Sequence, residues 1–400
     1  MCDLRNRMSK RTIVLCILIS CVGYFAFGQI STRELNGGSL NSINTAVPFL
    51  SITPDSRAGA LGDVGVATQP DINSQHWNVA KYAFTNSPSG ISISYAPWLR
   101  RVIPDISLAY LTAYFKPSDE QVISGSLRYF SMGQLTLTDI NGGMITQFIP
   151  YEMAIDAGYS RLLASNFSGG IVFRYIHSNL TNQIEVYGEE SIPGRSVAAD
   201  LGFYYHQSIG SNGIGYAAGA ALTNLGTPMG YTSNSEKVPI PSNLRLGGRV
   251  DYRIDDDNQI SGQLEFNKLL IPTRPVMEGD SVIRGYGAPE SVVGGMFRSF
   301  FDAPGIHFED GSYSSAFREE ISEVTLGVGV EYWYREQFAV RAGYFHEASI
   351  KGNRKHFTFG VGMNLNVFLI DFAYLAPTNG QNSPLANTIR FTLGFDLGQL

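Results

Sequence analysis

Beyond residue 28 the chain has no cysteine. All three, Cys2, Cys16 and Cys21, lie in the first 28 residues. A mature chain that starts after them has no disulfide, thiolate nucleophile or cysteine-bound metal. Charge is also scarce, at 16% of residues, where about a quarter is usual. The formal charge is -6 and no basic stripe occurs, which excludes a nucleic-acid partner. No second apolar run reaches about eighteen residues, so no transmembrane helix follows the N-terminus. H-E-x-x-H, P-loop and G-x-S-x-G patterns are missing. His76, His177, His206, His307, His346 and His356 are scattered without metal-ligand spacing, and His206 reads as a hydrogen-bonded wall residue. Asp255-Asp256-Asp257-Asn258 lacks the spaced ligands of a calcium loop and reads as a solvated turn. No cofactor, metal or enzymatic activity is expected.

The N-terminus has the form of an export signal. Arg5, Arg7, Lys10 and Arg11 precede an apolar run over residues 12–27, and Ala26-Phe27-Gly28 offers small residues for cleavage. Gln29 is the expected mature N-terminus. Loss of residues 1–28 removes four cations and one anion and takes the formal charge to -9. Leu18-Ile19-Ser20-Cys21 resembles a lipoprotein box, but residues 22–27 continue the apolar run where a lipoprotein turns polar.

What is abundant is glycine, at 43, with 21 tyrosines and 24 phenylalanines. These sit in a two-residue rhythm that never turns helical. In residues 243–253, Leu244, Leu246, Val250 and Tyr252 oppose Arg245, Arg249, Asp251 and Arg253. Such alternation means extended strands with opposed faces. Roughly fourteen strands are expected, at 90–97, 105–116, 121–130, 151–162, 167–177, 197–208, 213–224, 242–254, 258–269, 322–334, 337–347, 354–365, 366–375 and 387–398. Short connections (117–120, 163–166, 209–212, 255–257, 335–336 and around Leu365) alternate with long ones (98–104, 131–150, 178–196, 225–241, 270–321, 348–353, 376–386). That alternation marks an outer-membrane β-barrel with periplasmic turns, extracellular loops and both barrel ends on the periplasmic side. A charge facing lipid near the midplane costs roughly 2–4 kcal/mol. The charged face therefore looks inward. The expected lumen wall is Arg128, Asp156, Arg174, Asp200, Arg245, Arg249, Asp251, Glu265, Glu331, Arg341, Asp371 and Arg390. Mixed signs there imply water or a polar plug. Gly213/Gly215, Gly327/Gly329 and Gly360/Gly362 are expected inside strands, for curvature or close backbone packing.

The connection 270–321 is far longer than ordinary loops, which points to function. It holds Val292, Val293, Met296, Phe297, Phe300, Phe301 and Phe308, candidates for a partner-docking surface. A loop helix folded over or into the barrel is the plainer reading.

Residues 54–67 run Pro54-Asp55-Ser56-Arg57-Ala58-Gly59-Ala60-Leu61-Gly62-Asp63 to Ala67, and His76-Trp77-Asn78-Val79-Ala80 follows. With Ser92-Ile93-Ser94-Tyr95-Ala96-Pro97-Trp98-Leu99 and Ser126-Leu127-Arg128-Tyr129-Phe130-Ser131, this resembles the PorV (LptO) family, outer-membrane barrels of the Bacteroidetes type IX secretion system. The likeness spans essentially the whole mature chain; Val79 departs from it, standing where the family usually has proline. The resemblance implies an all-β, 14-stranded, FadL-like barrel with an N-terminal hatch. The expected division is signal 1–28, plug 29–89 and barrel 90–400, with Asp55, Arg57, Gly62, Asp63, His76, Trp77 and Asn78 in the plug motif. It also implies a non-enzymatic role. Such proteins associate with the giant translocon barrel, take cargo through its C-terminal signal domain and pass it to the sortase-containing attachment complex at the cell surface. The second reading is a FadL-like channel for hydrophobic small molecules, which calls for an apolar lumen in place of this charged one.

Overall fold

The two-residue rhythm becomes fourteen antiparallel strands closed into one barrel. In chain order they are β1 (Ser89–Pro97), β2 (Ile106–Ser118), β3 (Gln121–Met132), β4 (Tyr151–Ala164), β5 (Phe167–Asn179), β6 (Gly194–Gln207) and β7 (Ile214–Gly226). Then follow β8 (Asn243–Arg253), β9 (Asn258–Leu269), β10 (Val324–Tyr334), β11 (Phe338–His346), β12 (Lys355–Leu365), β13 (Phe368–Pro377) and β14 (Thr388–Asp396). The structure is a computed structural model and describes residues 40–98, 105–138, 143–181, 185–186, 189–232, 236–289, 291–308, 310–378 and 388–399. The expected signal at 1–28, Gln29 and the first part of the expected plug, 29–39, lie outside the described residues.

Each strand pairs with its sequence neighbour, and β14 returns to β1, with Leu393 opposite Ile93. Closure leaves no free edge, so every ladder group is satisfied within the wall, as a lipid environment demands. Face assignments follow the alternation. Ile93, Phe173 and Val250 are more than half exposed on the outside, whereas Arg128, Glu331 and Arg341 are at most 2% exposed inside. The expected fold class and strand count are borne out, with ends shifted by up to three residues.

Outward aromatic residues gather towards both rims, as in membrane barrels. Near the short turns these are Phe115, Tyr159, Tyr216, Tyr252, Tyr334, Phe338 and Phe368. Near the long loops they include Tyr95, Tyr129, Tyr151, Tyr175, Tyr344 and Tyr374. The long-loop halves of β6 to β10 carry no outward tyrosine or tryptophan among the described residues.

Several expectations change. Leu135–Thr138 pairs with Met144–Phe148, and Val276–Glu278 with Ser281–Arg284, as small hairpins inside long connections. The strand expected from residue 322 begins at Val324, because a helix, Ala316–Ser322, occupies the preceding residues. Its Ser315 Oγ accepts from Arg318 N at 3.3 Å, a side-chain cap that favours helix over strand. Gly213 lies in a turn with φ of +76°, not in a strand.

Residues before β1 thread the barrel from rim to rim. At the long-loop rim Ala46 N donates to Pro239 O at 2.9 Å. Phe49 and Leu50 then pack on Ala96, Leu108, Phe130 and Ile176. A first short helix, α1 (Ser56–Gly59), is capped by Asp55, which accepts from Ala58 N at 2.9 Å. A second, α2 (Ser74–Trp77), leads into a 3-10 helix, Val79–Phe84, capped by Asn78. The segment leaves at the short-turn rim, where Lys116 N donates to Pro88 O at 2.8 Å. Val79 sits at the first position of its helix, which suits proline because the N–H there has no helical acceptor. Valine keeps the turn and packs with Ile72, Tyr82, Tyr114, Val122 and Val172.

Inward glycines make room for this segment. A Cβ on Gly327 would stand 2.7 Å from Gly62 O, and one on Gly329 2.7 Å from Leu61 O. One on Gly343 would collide with the Leu61–Gly62 backbone. The Gly-x-Gly pattern of β10 therefore serves close backbone packing. Gly343→Leu should strongly destabilise the plugged barrel, since overpacking a filled site typically costs about 1–3 kcal/mol. Gly262→Leu, whose Cβ meets nothing within 4 Å on the outer face, should be tolerated. The check is the temperature at which each purified variant loses its compact form on a detergent gel.

Candidate functional site

The lumen is held by ion pairs that run from the plug into the wall. Arg57, on α1, donates to both carboxylate oxygens of Glu331 at 3.0 and 2.8 Å and to Asp71 at 3.1 Å. Glu331 in turn accepts from Arg341 at 2.6 Å, and Arg341 donates to Asp371 at 2.5 Å. One chain of alternating charge thus joins the plug to β10, β11 and β13. On the opposite wall Arg128 reaches His76 Nδ1 at 2.9 Å and Leu50 O at 3.2 Å. Asp156 links Arg128 to Arg174, and Arg174 continues to Asp200 at 2.9 Å. Buried charges are tolerable only when paired and hydrogen-bonded, and these are.

The remaining motif residues close the gaps. Glu265 accepts from Gly65 N at 2.7 Å and Val66 N at 2.8 Å, and pairs with Arg245 at 3.3 Å. The Arg245 guanidinium lies 4.8 Å over the Trp77 ring, and Trp77 Nε1 donates to Asp55 at 2.7 Å. Asn78 donates to Phe203 O at 2.9 Å. Arg249 pairs with Asp251 at 3.0 Å and donates to Ala67 O at 3.3 Å. Asp63 lies 3.4 Å from His356 and 3.5 Å from Arg390. Gly62, with φ of +74°, and Asp63, with φ of +59°, turn the chain back against β11. His206 reaches the short-turn end of the lumen, where it stacks on Tyr204 and meets Phe84.

The structure thus brings the seven plug-motif residues and the wall residues into one contact network. A cavity lined by Gln75, His76, Asn78, Asp200 and Thr223 has a volume of about 10 Å³, room for a single water. Among the described residues no cluster has the makeup of a metal site. Asp257 N donates to Asp255 Oδ1 at 2.9 Å, an Asx-type turn that accounts for the Asp255–Asn258 run.

The connection between β9 and β10 is the other candidate. It carries helices α3 (Val292–Arg298) and α4 (Ala316–Ser322). Phe297 is 70% exposed and Phe301 60%, with Val292, Val293 and Phe300 also exposed; Met296 and Phe308 are only partly so. The loop folds at the rim, not into the lumen. Lys268 shares the outward parity of Leu264 and Phe266, yet it is buried. Its amine is clasped by Glu320 at 3.1 Å and Glu323 at 2.6 Å, and the Phe300 ring lies over it at 5.7 Å. Lys351, between β11 and β12, holds Glu319 at 2.7 Å and Glu323 at 2.9 Å. Asn41 ties the plug's entry to the same helix, donating to Glu319 Oε1 at 2.9 Å. Thr273 N donates to Asp302 Oδ1 at 3.3 Å, while Asp302 Oδ2 has no partner. Burial, reinforced by the Glu320 and Glu323 charges, pushes the Asp302 carboxyl up to about 7. None of these clasp residues stood out in the sequence. The signal was Glu319, Glu320 and Glu323 on one side of a short helix.

A closed β-barrel with lipid-facing strands, an N-terminal segment bonded inside it and a structured rim loop defines an outer-membrane barrel protein. Residues 36–276 match the family model described as type IX secretion system protein PorV. The chain belongs to the PorV family. Among solved structures it is similar to the Ralstonia pickettii toluene transporter TbuX, at 10% identity over 86% of this chain and 97% of that one, TM-score 0.40. A Pseudomonas aeruginosa FadL homologue shows 10% identity over 90% of this chain and 100% of that one, TM-score 0.42. No curated protein matches.

Two measurements probe the site. Arg57→Met leaves Glu331 and Asp71 short of a cation, and breaking a buried pair typically costs about 3–5 kcal/mol. Its thermal midpoint in detergent should fall, and the loss on adding Glu331→Gln should be less than the sum of the single losses. Asp302 binds a proton in the packed loop that it gives up in the unpacked one. Loop stability should therefore decline as pH rises from about 4 towards about 7 and level off above. Asp302→Asn should flatten that profile, read by amide exchange across residues 291–308.

Proposed function

We propose that the protein carries secreted cargo at its long-loop rim, which faces the cell exterior. The observation that supports this reading is the filled lumen. Charged walls are bonded to an equally charged plug through Arg57–Glu331 on one side and Arg128–His76 on the other, a poor lining for an apolar solute. A FadL-like channel for hydrophobic small molecules would need an apolar one. Work done by such a barrel falls to its rims, and the long-loop rim presents Val292, Val293, Phe297 and Phe301 to the outside. Exposed aromatic groups on an ordered loop suit transient partner contact.

On this reading the partners are those of type IX secretion. The translocon barrel delivers cargo, the C-terminal signal domain of the cargo is the part recognised, and the sortase-containing attachment complex receives it. The protein takes part without catalysis. The short turns, including residues 255–257 and 335–336, face the periplasm, and both barrel ends lie on that side.

Replacing residues 292–301 by a Gly-Ser linker should leave the barrel assembled in the outer membrane. Pull-down from that membrane should then lose the translocon barrel and cargo, both recovered with the unaltered protein. Normal export and surface anchoring of cargo in the replacement strain would overturn the assignment. Recovery of bound fatty acid alone from the unaltered protein would favour the channel.

A further inference from the structure

We infer that helix α4 is a membrane-interface anchor, with Phe317 and Ile321 seated in the lipid headgroup layer at the long-loop rim. The inference draws on the fold and the barrel's place in a membrane, and not on the cargo reading. Phe317 is 73% exposed and Ile321 57%. Four residues apart on a helix, they share one face. Glu319 and Glu320 occupy the other, and both are buried against the rim by Lys351 and Lys268. The acidic face is thus fixed to the barrel, and the apolar face is held away from it.

Three observations identify lipid as the occupant. The first is position. Lys268 sits across from Leu244 and Val324 in the ladder, on the parity of the lipid-facing Leu264 and Phe266. A lysine there cannot face hydrocarbon. Its amine instead turns to the carboxylates of the loop, so the Lys268 side of the clasp lies against the outer wall, while Asn41 and Lys351 hold Glu319 from the side of the mouth. The second is continuity. Helix α4 runs into β10, whose Val328 and Val330 belong to the lipid-facing belt. The third is the broken tyrosine row. Tyrosine and tryptophan normally anchor a barrel at the interface. Here five consecutive strands, β6 to β10, lack them at the long-loop end among the described residues. The aromatic loop emerges within that arc. Phe317, with Arg318 exposed beside it, supplies the pairing of ring and cation that interfacial helices use.

The test exploits the absence of cysteine after residue 28. Phe317→Cys and, separately, Ile321→Cys are labelled with an environment-sensitive fluorophore. The proteins are then placed in phosphatidylethanolamine–phosphatidylglycerol nanodiscs. Asp256→Cys, in the exposed turn 255–257, is the aqueous control. Lipids carrying a nitroxide just below the headgroup should lower the emission at positions 317 and 321 by about twofold or more while leaving the control unchanged, as expected for a helix lying at the interface. Iodide in the buffer should quench the control and spare both helix sites. If iodide quenches the helix sites as strongly as the control, and nitroxide lipid does not, the face is bare in a bilayer and belongs to a protein partner. That result overturns the proposal. Loss of cargo in the 292–301 replacement reads a different face, so the two proposals fail independently.

Discussion

A charge inside a closed barrel must find a counter-charge, and that constraint governs this molecule. The outer face is committed to lipid, so the polar half of every strand turns inward, and water cannot dissolve what the plug covers. Arg57 and Glu331 are the hub. Without the plug, Glu331 keeps Arg341 alone and the wall's alternating chain stops at β10. Without the wall, Arg57 keeps only Asp71. Neither half of the lumen is electrostatically complete by itself, which is why the N-terminal segment behaves as part of the barrel. The inward glycines follow from the same demand. Ion pairs near 3 Å require the plug backbone to lie directly on the strands, and only a residue without Cβ leaves that space at Gly327, Gly329 and Gly343.

The rim loop inherits its position from this arrangement. The segment that fills the lumen enters at the long-loop end, and Asn41 and Ala46 bond to the connections there. Asn41 reaches both Ile350 O and Glu319, so the plug's entry, the β11–β12 connection and helix α4 meet at one point. An apolar loop left loose at a membrane surface would collapse or aggregate. Here two lysines and three glutamates fix its polar side, and the exposed rings are the face left over. Shape at the rim is therefore set by charge pairing at its base.

Much of this was legible in the sequence. Period-2 alternation placed the wall residues inward, since Arg245, Arg249 and Asp251 share a parity opposite to Leu246, Val250 and Tyr252. The same rhythm gives the strand number, and loop-length alternation marks the barrel as one that spans a membrane. Side-chain parity is a local property, and closure by hydrogen bonding preserves it. What stayed hidden is long-range. Arg57 and Glu331 are 274 residues apart, and no local pattern pairs them. Lys268 continued an alternating strand on its oily face, and alternation alone offers no reason for its burial. The reason lies in Glu320 and Glu323, past an intervening loop. Helix α4 falls within the connection expected at 270–321, apart from Ser322, where the strand is expected to begin; the Ser315-capped helix carries through that residue, and the strand starts at Val324.

The lumen and the rim also answer to different physical requirements. An outer-membrane barrel that opened wide enough for a folded protein would breach the permeability barrier, and this lumen, with ion pairs on opposite walls, would have to break several buried pairs at once to open. Breaking each one strands a charge in a medium that solvates it poorly. The rim has no such barrier, because an exposed aromatic face gains by contact and loses little on release. On the cargo-carrying reading, a barrel built this way changes its contacts at the rim while the ion pairs of the lumen stay in place, so partner exchange and membrane integrity fall to separate parts of one chain.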